Sequence, residues 1–399
     1  MITRRKLFPV LILAGFCAGL LSMDIFLPSL SNMAYDFGVS THVIQSSIWV
    51  SLLSSLVISI IVGPLSDHYG RKPILKIGVV FFFVGNSVCA IAPDMSTFLL
   101  GRIFQGIGAA IPFAVGIAGI QDLYDQKQGA KILAVLGALM ALIPAAAPVL
   151  GGYIDSWYGW RMNFGLTAFL SLLLLIAFFT LLIETKPPVT THKLKLWDSC
   201  KKSFALLKNK EFAFNLSLNP ILCTGFWAYL TITPLYFVRV LEIPVNRYGY
   251  YVAFVSISLS LASYLASVLI PHLGLKKTSL LGIIISGLGS IALLGAYLFC
   301  PHNTYVITVC LAAYAVGYSM IFAPSTTLAV RMFKDAMGAA SSLRNISYTV
   351  FATIGSFLGG IVSDMTLLPL SALFIFSFIV ALGAFLYANK NLVDPIEES

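Results

Sequence analysis

Long apolar runs separated by short polar interruptions make up almost the whole chain. The runs lie near residues 7–30, 43–62, 74–92, 97–119, 131–154 and 162–183, then near 212–238, 248–270, 278–299, 304–329, 338–362 and 368–389. Each is long enough to cross a hydrocarbon layer about 30 Å thick as a helix. The pattern predicts an all-α polytopic membrane protein with twelve transmembrane helices in two pseudo-symmetric six-helix bundles. The bundles are expected at 1–184 and 212–399, with a cytoplasmic linker at 185–211 that carries Pro187-Pro188 and seven lysines. A weak internal echo supports two related halves: His68-Tyr69-Gly70-Arg71-Lys72 returns as His272-Leu273-Gly274-Leu275-Lys276. Transporters built from repeated halves commonly bind substrate near the repeat interface.

Charge fixes the orientation. Lysine and arginine collect in alternate loops: Arg4, Arg5 and Lys6, then Arg71, Lys72 and Lys76, then Lys127 and Lys131, then the linker, then Lys276, Lys277, Arg331, Lys334, Arg344 and Lys390. The intervening loops hold only Arg161, Arg239 and Arg247. By the positive-inside rule both termini are cytoplasmic. The N-terminal run resembles a secretory signal but is too long for a cleaved one, so it reads as the first span.

Composition agrees, with 58% hydrophobic and 10% charged residues and a net charge of +9. Since the basic residues mark loops, the charge reports topology and not nucleic-acid binding. The six cysteines have no paired spacing, so neither a disulfide framework nor a metal site is expected. No G-x-x-x-x-G-K-S/T phosphate loop is present, which leaves no nucleotide cofactor and points to an ion gradient as the energy source. A membrane enzyme would gather histidines or carboxylates at one membrane face, and none gather.

The deeply placed ionisable residues are Asp24 in the first span and Arg102 in the fourth. Counted from Leu30 and Thr97, they lie about 9 Å and about 7–8 Å from the outer side at 1.5 Å per residue. Similar depth and opposite sign suggest a pair, direct or through water or substrate. Burial disfavours a charged carboxylate and a nearby guanidinium favours it, so movement of Arg102 or arrival of a cation would bind or release a proton. Gln105 shares the face of Arg102. Asn215, Asn219, Trp227, Tyr229, Tyr236, Tyr314 and Tyr318 are candidates for the wall of a substrate cavity, because aromatic surfaces with a few polar groups suit amphipathic ligands. Pro148, Gly151 and Gly152 form a candidate hinge in span five. The polar run Gly63–Pro73 reads as a tight cytoplasmic turn, with Gly63, Asp67, Gly70, Arg71 and Lys72 as a candidate conformational latch. Asp67 would face the positive N-terminus of span eleven.

These residues resemble motifs of the major facilitator superfamily, and more narrowly of its drug:proton antiporters of the Bcr/CflA (bicyclomycin-resistance) type. Gly63, Leu65, Asp67, Gly70, Arg71 and Lys72 match the inter-span motif, with His68 in place of its usual base. Leu99 to Ala110 resembles the fourth-span motif, whose arginine is implicated in proton coupling, and Ser22 to Leu30 resembles the Bcr-type first-span signature, whose acid is a proton or substrate site. Gly338 to Leu343 resembles the entry to span eleven. The antiporter motif of span five is matched by Pro148, Gly151 and Gly152, while Ile143 and Ala147 stand where it has glycines. The resemblance implies a monomeric, proton-coupled exporter of drugs or amphipathic metabolites in a bacterial inner membrane, working by alternating access. The alternative is a transporter, outward or inward, of a native metabolite such as a siderophore, amino acid or nutrient.

Overall fold

The computed structural model describes residues 2–186, 205–331 and 337–388, and every regular element among them is helical. The chain opens with α1 (Ile2–Asp24), a 3-10 turn (Leu27–Ser29) and α2 (Leu30–Asp36). Then come α3 (Thr41–Tyr69), α4 (Arg71–Ile91), α5 (Met95–Leu123), α6 (Gln126–Tyr158) and α7 (Arg161–Leu181). After 187–204, where most of the expected linker lies outside the described residues, follow α8 (Lys210–Leu235) with a π-helical end (Tyr236–Val240), α9 (Val245–Phe299), α10 (Thr304–Arg331), α11 (Met337–Val362) and α12 (Leu368–Ala388).

Ten of these stretches are long and apolar enough to cross a membrane among the described residues. One of them, α9, has 55 residues, about 80 Å at 1.5 Å per residue, which is two spans long. It is broken at Gly274, whose φ is 77°. The first candidate span runs Arg5–Asp36, so it takes in both α1 and α2 and ends beyond the Leu30 expected from hydropathy.

The chain forms two compact units, 1–199 with Pro244–Tyr250, and 200–243 with 251–399. In the first, α4 packs on α5 and α7, α3 on α5, and α1 on α5, α6 and α7. Its apolar core joins Phe8, Ile12 and Phe16 of α1 to Phe82 of α4, Ile111 and Val115 of α5 and Phe178 of α7. In the second unit α8 is central, packed on α10, α11 and α12.

The polar turn expected at Gly63–Pro73 is much shorter. Helix α3 continues through Tyr69 and α4 starts at Arg71, so Gly70 alone reverses the chain. Its φ of 94° lies in the left-handed region that disfavours a Cβ. Gly274, its counterpart in the internal echo, has positive φ as well. The echo therefore marks the same backbone device in both units.

Candidate functional site

Asp24 sits at a break in the first span. Pro28 lacks the N–H that would close a helical turn onto the Asp24 carbonyl, and the chain passes through a 3-10 turn before α2 resumes. Asp24 is therefore 12 residues before the end of the candidate span at Asp36, twice the six residues counted to Leu30. Its carboxylate is buried, at 8% exposure, and among the described residues no hydrogen bond or ion pair reaches it.

The break is held firmly from outside. Asn32 on α2 donates to Asp155 of α6 at 2.8 Å. Trp160 Nε1 and Arg161 both donate to Asp36, at 2.8 and 3.3 Å. Asn163 of α7 donates to Ser29 Oγ at 3.1 Å and to the Gly151 carbonyl at 3.2 Å. A Cβ at Gly151 would overlap the Ile25 carbonyl. Gly151 thus lets α6 press directly on the broken segment. The candidate hinge residues Pro148, Gly151 and Gly152 all lie within continuous α6, so Gly151 contributes close approach here and the helix has no break at it.

Arg102 is 1% exposed and the expected direct pair with Asp24 is not formed. Equal depth does not place two side chains on facing sides of their helices, and the break moves Asp24 deeper as well. Arg102 instead spends its donors within α3 and α5. Its Nε donates to the Ser47 carbonyl at 2.9 Å, its Nη1 donates to Gln105 Oε1, and its guanidinium lies 4.4 Å from the centre of the Phe26 ring. Gln105 passes the network on, donating to Ser22 Oγ and to Asn86 Oδ1 at 2.8 Å. Ser22 also donates to Asn86, at 2.9 Å. The network therefore ends on α1 two residues before Asp24. Ser22 was named only as the start of the first-span signature and Asn86 not at all, since a serine and an asparagine in apolar runs carry little signal.

At the α3–α4 junction Arg71 is buried and its guanidinium bridges three elements. It pairs with Asp67 at 2.8 Å and with Asp122 of α5 at 3.0 Å, and donates to Ser66. Asp67 also receives Lys186 at 2.8 Å. Glu184 accepts the backbone N–H groups of Arg71 and Lys72 at 2.8 and 3.1 Å, placing a carboxylate at the positive end of α4. Asp67 and Arg71, both named in the candidate latch, are thus paired with each other, while Lys72 contributes its backbone. No neighbour surrounds the Gly63 Cα within 4 Å of a built Cβ. Asp122 and Glu184 complete the cluster and were missed, since loop acids are weak signals without their partners.

In the second unit Asn215, Asn219, Tyr229, Tyr236, Tyr314 and Tyr318 are all buried. Asn219 donates to the Tyr318 carbonyl at 3.2 Å. Tyr314 is spent on packing: it stacks on Phe374 at 3.6 Å between centroids and donates to the Leu222 carbonyl at 2.7 Å. Tyr236 lies in the π-helical end and donates to the Pro301 carbonyl at 2.8 Å, away from the others. Tyr318 and Trp227 fall together, with Tyr318 stacked on Phe226 at 5.1 Å and Trp227 Nε1 donating to the Tyr348 hydroxyl at 3.5 Å. Beside them is Arg344, which the charge pattern counted among the cytoplasmic cations and which stands inside α11.

The model of the Major Facilitator Superfamily matches residues 11–270 and 221–396. The chain is 28% identical to the chloramphenicol resistance protein CraA of Acinetobacter baumannii, over 72% of this chain and 69% of the relative. It is 26% identical to the multidrug resistance protein MdtL of Klebsiella pneumoniae, over 94% of each. It is 24% identical to a bicyclomycin resistance protein homolog of Haemophilus influenzae, over 87% and 88%. Among solved structures it shares its fold with a D-xylose-proton symporter, with a TM-score of 0.76, 16% identity and coverage of 97% and 98%.

Proposed function

The chain belongs to the major facilitator superfamily of membrane transporters, and we propose that it is a proton-coupled efflux antiporter for drugs or small amphipathic metabolites. In this reading it has twelve spans, both termini are cytoplasmic, and it resides in a bacterial inner membrane and alternates access to a central cavity. The observation that carries the proposal is Asp24, a buried carboxylate at a helix break without a partner among the described residues. Discontinuous helices in transporters place substrate and ion sites where backbone groups are free, and an ionisable group there is expensive unless it has a task. Relatives named for resistance to chloramphenicol, bicyclomycin and multiple drugs support the substrate class.

Asp24 takes up and gives up the coupled proton. Arg102 acts on it through Gln105 and Ser22, so a shift of α5 against α1 changes the surroundings of the carboxylate without direct contact. The cluster around Arg71 serves as the conformational latch. The test is ethidium accumulation by inverted membrane vesicles with and without an imposed pH gradient. Asp24→Asn is expected to abolish the gradient-driven part. Asp67→Asn slows it while leaving ethidium binding to the purified protein in place. Full coupling retained by Asp24→Asn would overturn the assignment.

A further inference from the structure

Arg344 lies seven residues into α11 from Met337, about 10 Å along the helix axis. Its guanidinium carbon is 4.0 Å from the centre of the Phe322 ring. Nη1 makes one long contact with Asn345 Oδ1 at 3.4 Å. Nη2 is buried and has no hydrogen-bond partner, and among the described residues no carboxylate pairs with the side chain. The groups within electrostatic reach are Tyr318, Tyr348 and Cys223. Beside them, Trp227 Nε1 donates to the Tyr348 hydroxyl at 3.5 Å. The cation therefore lies over the Phe322 ring, with two tyrosines within electrostatic reach.

An arginine that served only to orient the helix would keep its donors in water or among headgroups. A partly buried guanidinium with a buried, open donor and no counter-ion among the described residues is costly to maintain. Its fork of N–H groups matches the paired oxygens of a carboxylate or sulfonate. The tyrosine hydroxyls can donate to the same oxygens, and Phe226, Trp227 and Tyr318 offer flat apolar faces to a ring. We propose that Arg344, with Tyr318 and Tyr348, binds the acidic group of an aromatic organic anion. This rests on the reading of the chain as a transporter of amphipathic molecules and adds the charge class of one substrate group.

The experiment measures equilibrium binding of 2-naphthoate and its uncharged amide, 2-naphthamide, to the full chain in phosphatidylcholine nanodiscs. The acid is expected to bind at least about tenfold more tightly than the amide, as a hydrogen bond to a charged group warrants. Arg344→Gln should remove that preference and leave amide binding unchanged, while Arg344→Lys retains part of it and Tyr348→Phe reduces it. The comparison of acid with amide on the unaltered protein needs no variant to fold. Equal binding of the two, no saturable naphthoate binding, or a preference that survives in Arg344→Gln would overturn the site. A headgroup could supply the same chemistry, so the titration is repeated with phosphatidylglycerol in the disc; displacement of naphthoate by that lipid would assign the site to lipid and overturn the proposal. Because binding alone is read, absence of the preference in the unaltered protein alongside intact Asp24-dependent export sinks this site and leaves the exporter standing.

Discussion

Arg102 lies seven residues into α5 from Met95, and Arg344 lies inside α11. Each holds its guanidinium over a phenylalanine ring, at 4.4 and 4.0 Å. They differ in what satisfies them. Arg102 is bonded to the Ser47 carbonyl and to Gln105, which continues into Ser22 and Asn86. Arg344 has a buried amine with no partner. Arg102 thus ties α3, α5 and α1 together through Nε and Nη1. Asp24 resembles Arg344 in lacking such ties: it is buried and nothing among the described residues is bonded to its carboxylate. Depth in the membrane does not separate these charges, and the share of each group that is hydrogen-bonded does.

The largest expected effect divides the two arginines. Arg102→Met removes the bond to the Ser47 carbonyl and leaves the Gln105 oxygen unsatisfied in a buried place, at about 1–3 kcal/mol. Arg344→Met removes an uncompensated cation and leaves fewer groups stranded, and replacing buried charge by an apolar side chain is often neutral or stabilising. Thermal unfolding of the purified variants should therefore show a clear loss for Arg102→Met and little change or a gain for Arg344→Met. Equal losses would break the comparison.

How much of this the sequence disclosed depends on how local each signal is. Span periodicity, the Gly70 reversal and the charge-dense junction at Asp67 and Arg71 are written in neighbouring residues, and the structure keeps them. Asp24 and Arg102 were visible as charges in apolar runs, and Gln105 as a neighbour on the same face. Their pairing was not visible, because equal depth says nothing of the direction in which each side chain leaves its helix. The break at Pro28 also lowered Asp24 relative to the end of its span. Arg344 was hidden for a different reason. At the entry of an apolar run an arginine looks like a positive-inside anchor, and only the packing of α8 against α11 shows it turned toward Tyr318 and Tyr348.

A smaller effect concerns what holds Asp24 in its broken segment. Gly151→Ala would drive a methyl group into the Ile25 carbonyl, and overpacking of this kind typically costs about 1–3 kcal/mol. The strain falls on the residue next to Asp24, so ethidium export should drop by more than the loss of folded protein accounts for. Gly15→Ala is the control, because its Cβ would meet Pro112 Cβ at 3.4 Å, an ordinary contact elsewhere on α1. Similar export from both variants, normalised to folded protein, would detach Gly151 from the site.

The smallest effect tests whether the Gly70 reversal depends on more than backbone freedom. Gly38 and Gly70 have φ of 61° and 94°, so alanine at either carries the strain of the left-handed region, about 1–2 kcal/mol. A Cβ at Gly38 meets nothing within 4 Å, while one at Gly70 lies 2.7 Å from Glu184 Oε2. That oxygen accepts the Lys72 N–H, and its carboxylate partner oxygen accepts that of Arg71. Gly70→Ala must therefore push the capping carboxylate off the start of α4 as well. Its unfolding temperature should fall below that of Gly38→Ala, and Glu184→Gln should narrow the gap by weakening the cap that alanine displaces. If the two glycine variants lose the same stability, Gly70 is needed for its backbone alone and Glu184 has room to give way.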